Sequence, residues 1–528
     1  MNIENLKPQK IDSYHFIEFL SEKNKEWIPK DQRKTILLLS DDMTRESGVA
    51  NMSREIVMAT CHRYNWLQVG ALINHPQKGQ IIDISQNIAE VTGVEDPFVQ
   101  IIPYANSYGE PRLIYQIFNE RKIDMVVHFT DPRYWQWLYD ISYFIRQRCP
   151  LVYYHVWDND PSPVFNKGSY MSDDVIITIS RLTNMVVKDV IKDRKDEVKL
   201  YHIPHGVNPN VFYPMLEVGE KFIEQKNGEL IELKSIKDIY NNLSSSIVPA
   251  NMANLEDFEK NKFVLMFNSR NIYRKKINNL LFAWNKFVES YVESIISVEH
   301  TTREDVIHEI TSGKRYLRLF LRTEPLDQNG TNINKVIKDN FPNYVRKTIM
   351  IFGEKIAPNI LNFLYNFADY TISVSNAEGF GLSTAESLMA GTPIIATVTG
   401  GLQDQLGFDI DKNLNLLELS QTNSSKSKKE ILEFDRSWAI PLKPTRSLNG
   451  SLECPYIYDD NVDVNEIGSA IALAALNKVK NLDTFKSECR KFALKNFNSH
   501  KMGDQFISTF DEIFENWKPI EKVSITKI

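Results

Sequence analysis

Ser375-Asn-Ala-Glu378-Gly379-Phe380-Gly381-Leu382-Ser-Thr-Ala-Glu386, followed by Ala390-Gly-Thr-Pro393, is the stretch that decides how this chain is read. The apolar run from Tyr370 to Ser375 suits a buried parallel strand, and Pro393 to Val398 suits another. A helix is expected to begin between them. The resulting strand-loop-helix-strand unit has its loop outside the carboxyl end of a strand, where open α/β sheets bind ligands. Gly379 and Gly381 let the backbone approach a ligand closely. Unpaired N–H groups at the helix start suit a phosphate. Carboxylates aimed at a phosphate would repel it. Glu378 on the loop and Glu386 further into the helix therefore fit better as acceptors for neutral hydroxyls. Phosphate and polyhydroxyl recognition side by side point to a nucleotide sugar.

Working outward, a series of strand candidates precedes this unit: Phe263 to Asn268, Tyr316 to Arg322 and Ile349 to Phe352. An earlier series runs through Thr35 to Ser40, Leu67 to Ile73, Met125 to His128, Leu151 to Val156, Val175 to Ser180 and Leu200 to Ile203. Helical patterns such as Ala50 to Tyr64, Arg112 to Glu120 and Arg181 to Lys192 separate several of them. Alternation of this kind predicts doubly wound α/β domains. The chain is 528 residues long, more than one ordinary core holds, so two such domains are expected. The polar segment Met215 to Asn261 reads as an insertion, and the run from Gln421 to Lys429 reads as a surface loop. A short helix is expected around Tyr14 to Leu20, and helical structure from Asp483 to Trp517 with a turn near Asn496.

The net charge of −6 argues against a chain that is basic overall. Four scattered cysteines (Cys61, Cys149, Cys454, Cys489) show no metal-ligand spacing and predict reduced thiols. No secretory leader or apolar span is legible, so a cytoplasmic protein without a transmembrane segment is expected, with peripheral membrane contact left open. No metal site is expected.

The Ser375–Glu386 string resembles the E-x7-E motif of retaining glycosyltransferases with the GT-B fold, closest to glycosyltransferase family 4. The resemblance implies two Rossmann-like domains facing across a cleft, with a C-terminal helix crossing back to the N-terminal domain. The expected division is a leader over 1–34, an acceptor domain over 35–206, a linker with insertion over 207–262, a donor domain over 263–490 and a returning helical segment over 491–528. It also implies that Glu378 contacts the donor sugar and Glu386 the ribose hydroxyls, with Gly379, Phe380, Gly381 and Leu382 lining the donor.

Other stretches carry the same resemblance. In Phe267-Asn-Ser-Arg270-Asn-Ile-Tyr-Arg-Lys275-Lys276, cations follow a strand and lead into a helix. The string is similar to the family pattern G-R-x4-K-G, with Ser269 and Lys276 where the family has glycine. The implied role of Arg270 and Lys275 is to stabilise charge that develops on a departing diphosphate. Gly48, after the first strand, is either the family's phosphate-side glycine or a simple loop glycine; no G-x-G-x-x-G string supports NAD binding. His155 is either a donor-sugar contact or a structural histidine, and His128 is expected on the acceptor side. His202-Ile-Pro-His205-Gly206-Val207-Asn208 resembles the family's hinge signature. Ile351-Phe352-Gly353-Glu354 resembles the loop that touches the base, and Thr399-Gly-Gly-Leu-Gln-Asp404 resembles a further family loop.

The implied activity is transfer of a hexose-type sugar from a nucleotide-diphosphate sugar, such as UDP-glucose or GDP-mannose, with retention of configuration and no metal or cofactor. The acceptor is a glycan, lipid-linked, protein or small-molecule hydroxyl; a nucleic-acid acceptor is disfavoured by the acidic balance. Two alternatives stand: a glucan synthase-like enzyme on the same fold, and a non-catalytic module that binds sugar nucleotides.

Overall fold

The computed structural model describes residues 27–520, save 46, 73, 76, 216–220, 225–229, 234–260, 354, 355, 357, 409–435 and 437. The helix expected near Tyr14, most of the expected insertion and the Gln421 to Lys429 run lie outside the described residues. The chain divides into two compact units. Among the described residues, the first takes in the chain as far as Asn210, Leu448–Tyr458 and everything from Phe497 onward; the second takes in Val211–Ser447 and Asp459–Asn496.

The first unit holds one sheet: β1 Lys34–Asp41, β2 Tyr64–Leu72, β3 Ile82–Asp83, β4 Val99–Ala105, β5 Met125–Thr130, β6 Leu151–His155, β7 Val175–Thr178 and β8 Lys199–His202. Their order is β3-β4-β2-β1-β5-β6-β7-β8, parallel except where β3 runs against β4. Ile36 to Leu39 of β1 are all buried, as a strand covered on both faces requires. Strand β4 was not among the strands expected from the sequence; it contains Pro103, which lacks the N–H that a central strand donates. Two-residue β3 pairs only with Gln100 and Ile101. Pro103 therefore lies past the end of β3, where the missing donor costs no ladder bond on that side. The C-terminal helix, Ser499–Asn516, belongs to this unit, in line with the family resemblance. Its Gly503 lies against Ala59 of α1 (Gly48–Thr60), and Tyr64 Oη donates to Asp511 at 2.7 Å.

The second unit holds β9 Phe263–Asn268, β10 Leu317–Arg322, β11 Ile349–Phe352, β12 Tyr370–Ser373, β13 Ile394–Thr397 and β14 Ala439–Leu442. All pair in parallel, in the order β11-β10-β9-β12-β13-β14. Counted within this six-stranded sheet the order is 3-2-1-4-5-6, the doubly wound order, and it reverses between β9 and β12. Helix α2 (Ile277–Glu299) covers the sheet with Leu280, Leu281, Trp284 and Val288. The buried Trp284 indole donates to Thr348 Oγ1 at 2.8 Å, so its one polar atom is satisfied. Among the shorter helices that follow are α3 Pro358–Phe367, α4 Leu382–Met389 and α5 Leu402–Leu406. The long α6 (Val464–Asn496) packs against α2.

Candidate active site

The reversal between β9 and β12 brings two loops to the same sheet edge. After β9 the chain makes a turn over Tyr273–Lys275 and enters α2 through Lys276, whose φ is +50°. This left-handed conformation is the one glycine adopts most cheaply. It gives a physical reason for the glycine in the pattern that Lys276 departs from. The Lys276 ammonium lies 3.9 Å from the centre of the Tyr273 ring, a cation–π contact.

The second loop leaves β12 as Ser375-Asn376-Ala377-Glu378. It is tied to the first by the Asn376 N–H, which donates to the Arg274 carbonyl at 2.9 Å. Arg274 Nη1 donates to the Ala377 carbonyl at 2.6 Å and lies 3.6 Å from Glu378 Oε2. Lys275 Nζ pairs directly with Glu378 Oε2, both side chains nearly buried. Ser375 Oγ donates to the same oxygen at 3.3 Å. Burial alone would raise the Glu378 carboxyl, but the charges of Lys275 and Arg274 outweigh it and hold it below the ordinary value.

The rest of the motif is fixed by the loop before α5. The Gly401 N–H donates to the Glu378 carbonyl at 2.8 Å, and Gln405 Nε2 donates to the carbonyls of Phe380 and Gly381 at 2.7 and 2.9 Å. A Cβ at Gly401 would lie 2.2 Å from the Gly379 oxygen, so the two loops fit only with glycine there. Gly381 starts α4 at φ +90°. Phe380 is buried and serves packing, while Gly379 and Leu382 are half-buried at the site.

Glu386 sits in a different setting. Tyr365 of α3 donates its hydroxyl to Glu386 Oε2 at 2.7 Å, and Asn268 Nδ2 donates to Tyr365 Oη at 2.7 Å. Burial pushes the Glu386 carboxyl up to about 7, against the opposing effects of the Tyr365 hydrogen bond and the Arg322 charge. Arg322 ends β10, in register with Asn268 of β9 and Phe352 of β11. Its Nε is buried without a hydrogen-bond partner.

Other sequence candidates are placed elsewhere. Arg270 pairs with Asp327 through Nε at 2.7 Å, its side chain 64% exposed. Phe352 ends β11 with its ring against Phe320; Glu354 lies outside the described residues. Gly48 is the first residue of α1, behind the capping Ser47, whose Oγ accepts from the Ala50 N–H. His155 is fully buried at the end of β6, with Nε2 2.8 Å from Tyr170 Oη, and burial lowers it to about 3. His128 is equally buried, against Asp173 at 2.8 Å. Burial holds both imidazoles neutral; this is the structural alternative for His155, whereas His128, expected on the acceptor side, is fully buried against Asp173. In the hinge signature, Gly206 lies against Ser499, and His205 Nδ1 contacts Tyr154 Oη at 2.7 Å. Among the described residues, no three His, Cys, Asp or Glu side chains gather as a metal site, and no helix is long and apolar enough to cross a membrane.

No family model and no curated protein matches this sequence. Solved structures do match its fold. Sucrose-phosphate synthase from Thermosynechococcus elongatus superposes with a TM-score of 0.57 at 14% identity, over 92% of this chain and 100% of that one. An E. coli trehalose-6-phosphate structure with UDP-2-fluoro glucose bound gives 0.55 at 10% identity, over 91% and 99%. Anabaena HepE in complex with UDP and glucose gives 0.51 at 13%, over 91% and 100%.

The fold is GT-B. Within this GT-B chain, sequence reasoning missed Arg274, Asn268, Arg322 and Tyr365. Asn268 and Arg322 each carried a signal, a polar residue closing an apolar strand that points to the site. Tyr365 carried none, because it reaches Glu386 from a helix that periodicity alone does not orient.

Proposed function

We propose that this protein is a glycosyltransferase that moves a hexose from a nucleotide-diphosphate sugar to an acceptor hydroxyl. The observation that carries the reading is the Lys275–Glu378 pair on the loops that lead into α2 and into Glu386-bearing α4, at the strand-order reversal of a GT-B domain. Without donor, Lys275 neutralises Glu378. A bound diphosphate would compete for Lys275 and Arg274, freeing the Glu378 carboxylate to accept from sugar hydroxyls. The acceptor oxygen then bonds to the anomeric carbon as the carbon–phosphate oxygen bond breaks. The electron pair leaves with the diphosphate, and the acceptor's proton follows it. Lys275 and Arg274 are preorganised where that charge develops. Arg270 joins them only by giving up Asp327.

We further propose retention of configuration, membership of glycosyltransferase family 4 and metal-independent chemistry, on the strength of the E-x7-E string. A cytoplasmic setting is supported by four free cysteines. UDP-glucose is the first donor to try, since HepE and the E. coli structure hold UDP or its glucose derivatives. The test is incubation with UDP-glucose and GDP-mannose, following nucleotide release and the anomeric configuration of the product by NMR. Release abolished by Lys275→Ala supports the reading. An inverted product overturns retention, and no binding or turnover of any sugar nucleotide overturns the function.

A further inference from the structure

The buried chain Asn268–Tyr365–Glu386 has a defined direction. An amide nitrogen only donates, so Asn268 Nδ2 must give its hydrogen to Tyr365 Oη. The single phenolic hydrogen is then committed to Glu386 Oε2. We propose that Tyr365 is the positioning residue for Glu386: clamped by Asn268, its hydroxyl occupies Oε2, so that the carboxylate offers Oε1 to the vicinal diol of a bound ribonucleotide. The proposal rests on the nucleotide-sugar reading and adds to it how the carboxylate is oriented and charged.

Three features support it. Tyr365 is fully buried, so its ring has no room to swing away. Burial and the neighbouring Glu386 hold its phenol well above the ordinary value, so the proton stays on Tyr365 and remains available to donate. The hydrogen bond favours the ionised form of Glu386, opposing the burial that raises the carboxyl to about 7. The charged or titratable groups acting on Glu386 are Tyr365 from α3 and Arg322 from β10. Arg490 of α6, packed against the same helix, directs Nη1 to the carbonyls of Phe212 and Met389. A carboxylate accepts from both hydroxyls of a diol, whereas its protonated form has an oxygen turned donor. Tyr365 thus sets both the free oxygen and the pH at which Glu386 can grip.

The test is calorimetric titration of the full chain with UDP and 2′-deoxyUDP, and with GDP and 2′-deoxyGDP, from about pH 6 to about pH 9. The wild type should prefer the ribonucleotide, with affinity falling as pH drops through about 7. Tyr365→Phe keeps the ring's shape but loses the donor. It should weaken ribonucleotide binding about tenfold at neutral pH, shrink the ribo-to-deoxy preference, and move the pH midpoint upward. Asn268→Ala should shift both readouts in the same direction by less. A purely structural Tyr365 would weaken both nucleotides equally and leave the midpoint in place; either an unchanged preference or an unchanged midpoint overturns the proposal while the function stands. Failure of the wild type to bind any of the four overturns both.

Discussion

Glu378 and Glu386 stand eight positions apart in one motif, yet the molecule gives them opposite electrostatic settings. Around Glu378 an ammonium and a guanidinium converge, and the carboxyl is held below its ordinary value. Around Glu386 the direct partner is a neutral phenol, and burial raises the carboxyl to about 7. Matched charge keeps the first ionised at any physiological pH; the second is poised to change state near neutrality. The difference teaches that two glutamates eight positions apart can be two different chemical groups, one matched to cations and one raised toward neutrality by burial.

The strongest way to break this comparison is to remove the cation. Lys275→Ala should lower sugar transfer on the order of 100-fold or more and, by leaving Glu378 buried without its main partner, cost about 3 kcal/mol in a denaturant titration. Adding Glu378→Ala should restore most of the stability and none of the activity. If the double variant is no more stable than Lys275→Ala, the pair is not the source of the cost.

Arg274 and Arg270 sharpen the same region. Arg274→Ala should slow transfer at least tenfold, because it removes a charge beside Glu378. Arg270→Ala, whose side chain is exposed on Asp327, should lower the rate less and leave stability almost unchanged. The reverse ranking in steady-state rates would return the diphosphate role to Arg270.

The Glu386 side is probed by pH. A carboxyl whose folded value lies near 7 binds a proton that the unfolded chain has released above about 4.5. The stability it contributes is present below about 4.5 and is lost as pH rises through about 7, an effect of about 3 kcal/mol. Glu386→Gln should flatten that part of the stability profile. Glu55 is also raised to about 7 by burial, so the quantity to read is the difference between wild type and variant. Equal slopes would mean that Glu386 titrates normally.

The smallest expected effect is a gain. Lys276 holds φ +50° at the entry to α2, and Lys276→Gly should relieve a left-handed strain of about 1 kcal/mol, partly offset by the greater freedom of glycine when unfolded. A raised melting temperature with unchanged transfer is the expected result; a lowered one would show that the contact of Lys276 with Tyr273 outweighs the strain.

Much of this site was legible along the chain wherever chemistry followed a strand at short range. Lys275 and Glu378 could be named because each lies a few residues beyond an apolar run, β9 and β12. Gly381 could be named because a glycine after a strand lets the backbone approach closely, and in the structure a Cβ there would lie 2.6 Å from Leu402 Cδ2. Less was legible where short-range features have long-range partners. Arg270, Arg274 and Lys275 look alike in sequence, and only the turn over Tyr273–Lys275 aims the last two at Glu378. His155 and His128 lie at or near strand ends, as catalytic histidines often do, but the packing of Tyr170, Tyr153 and Asp173 seals them off.

By itself, then, the sequence determined two doubly wound sheets and the loop that matters most, since apolar runs, their spacing and glycine punctuation are local properties of a chain. Only the tertiary structure decided which cation neutralises Glu378, and that Asn268, Arg322 and Tyr365 gather at Glu386. Their meeting depends on β10, β9 and β12 lying side by side with α3 packed in the same unit. Strand order is set by how whole elements bury one another, and no local period records it.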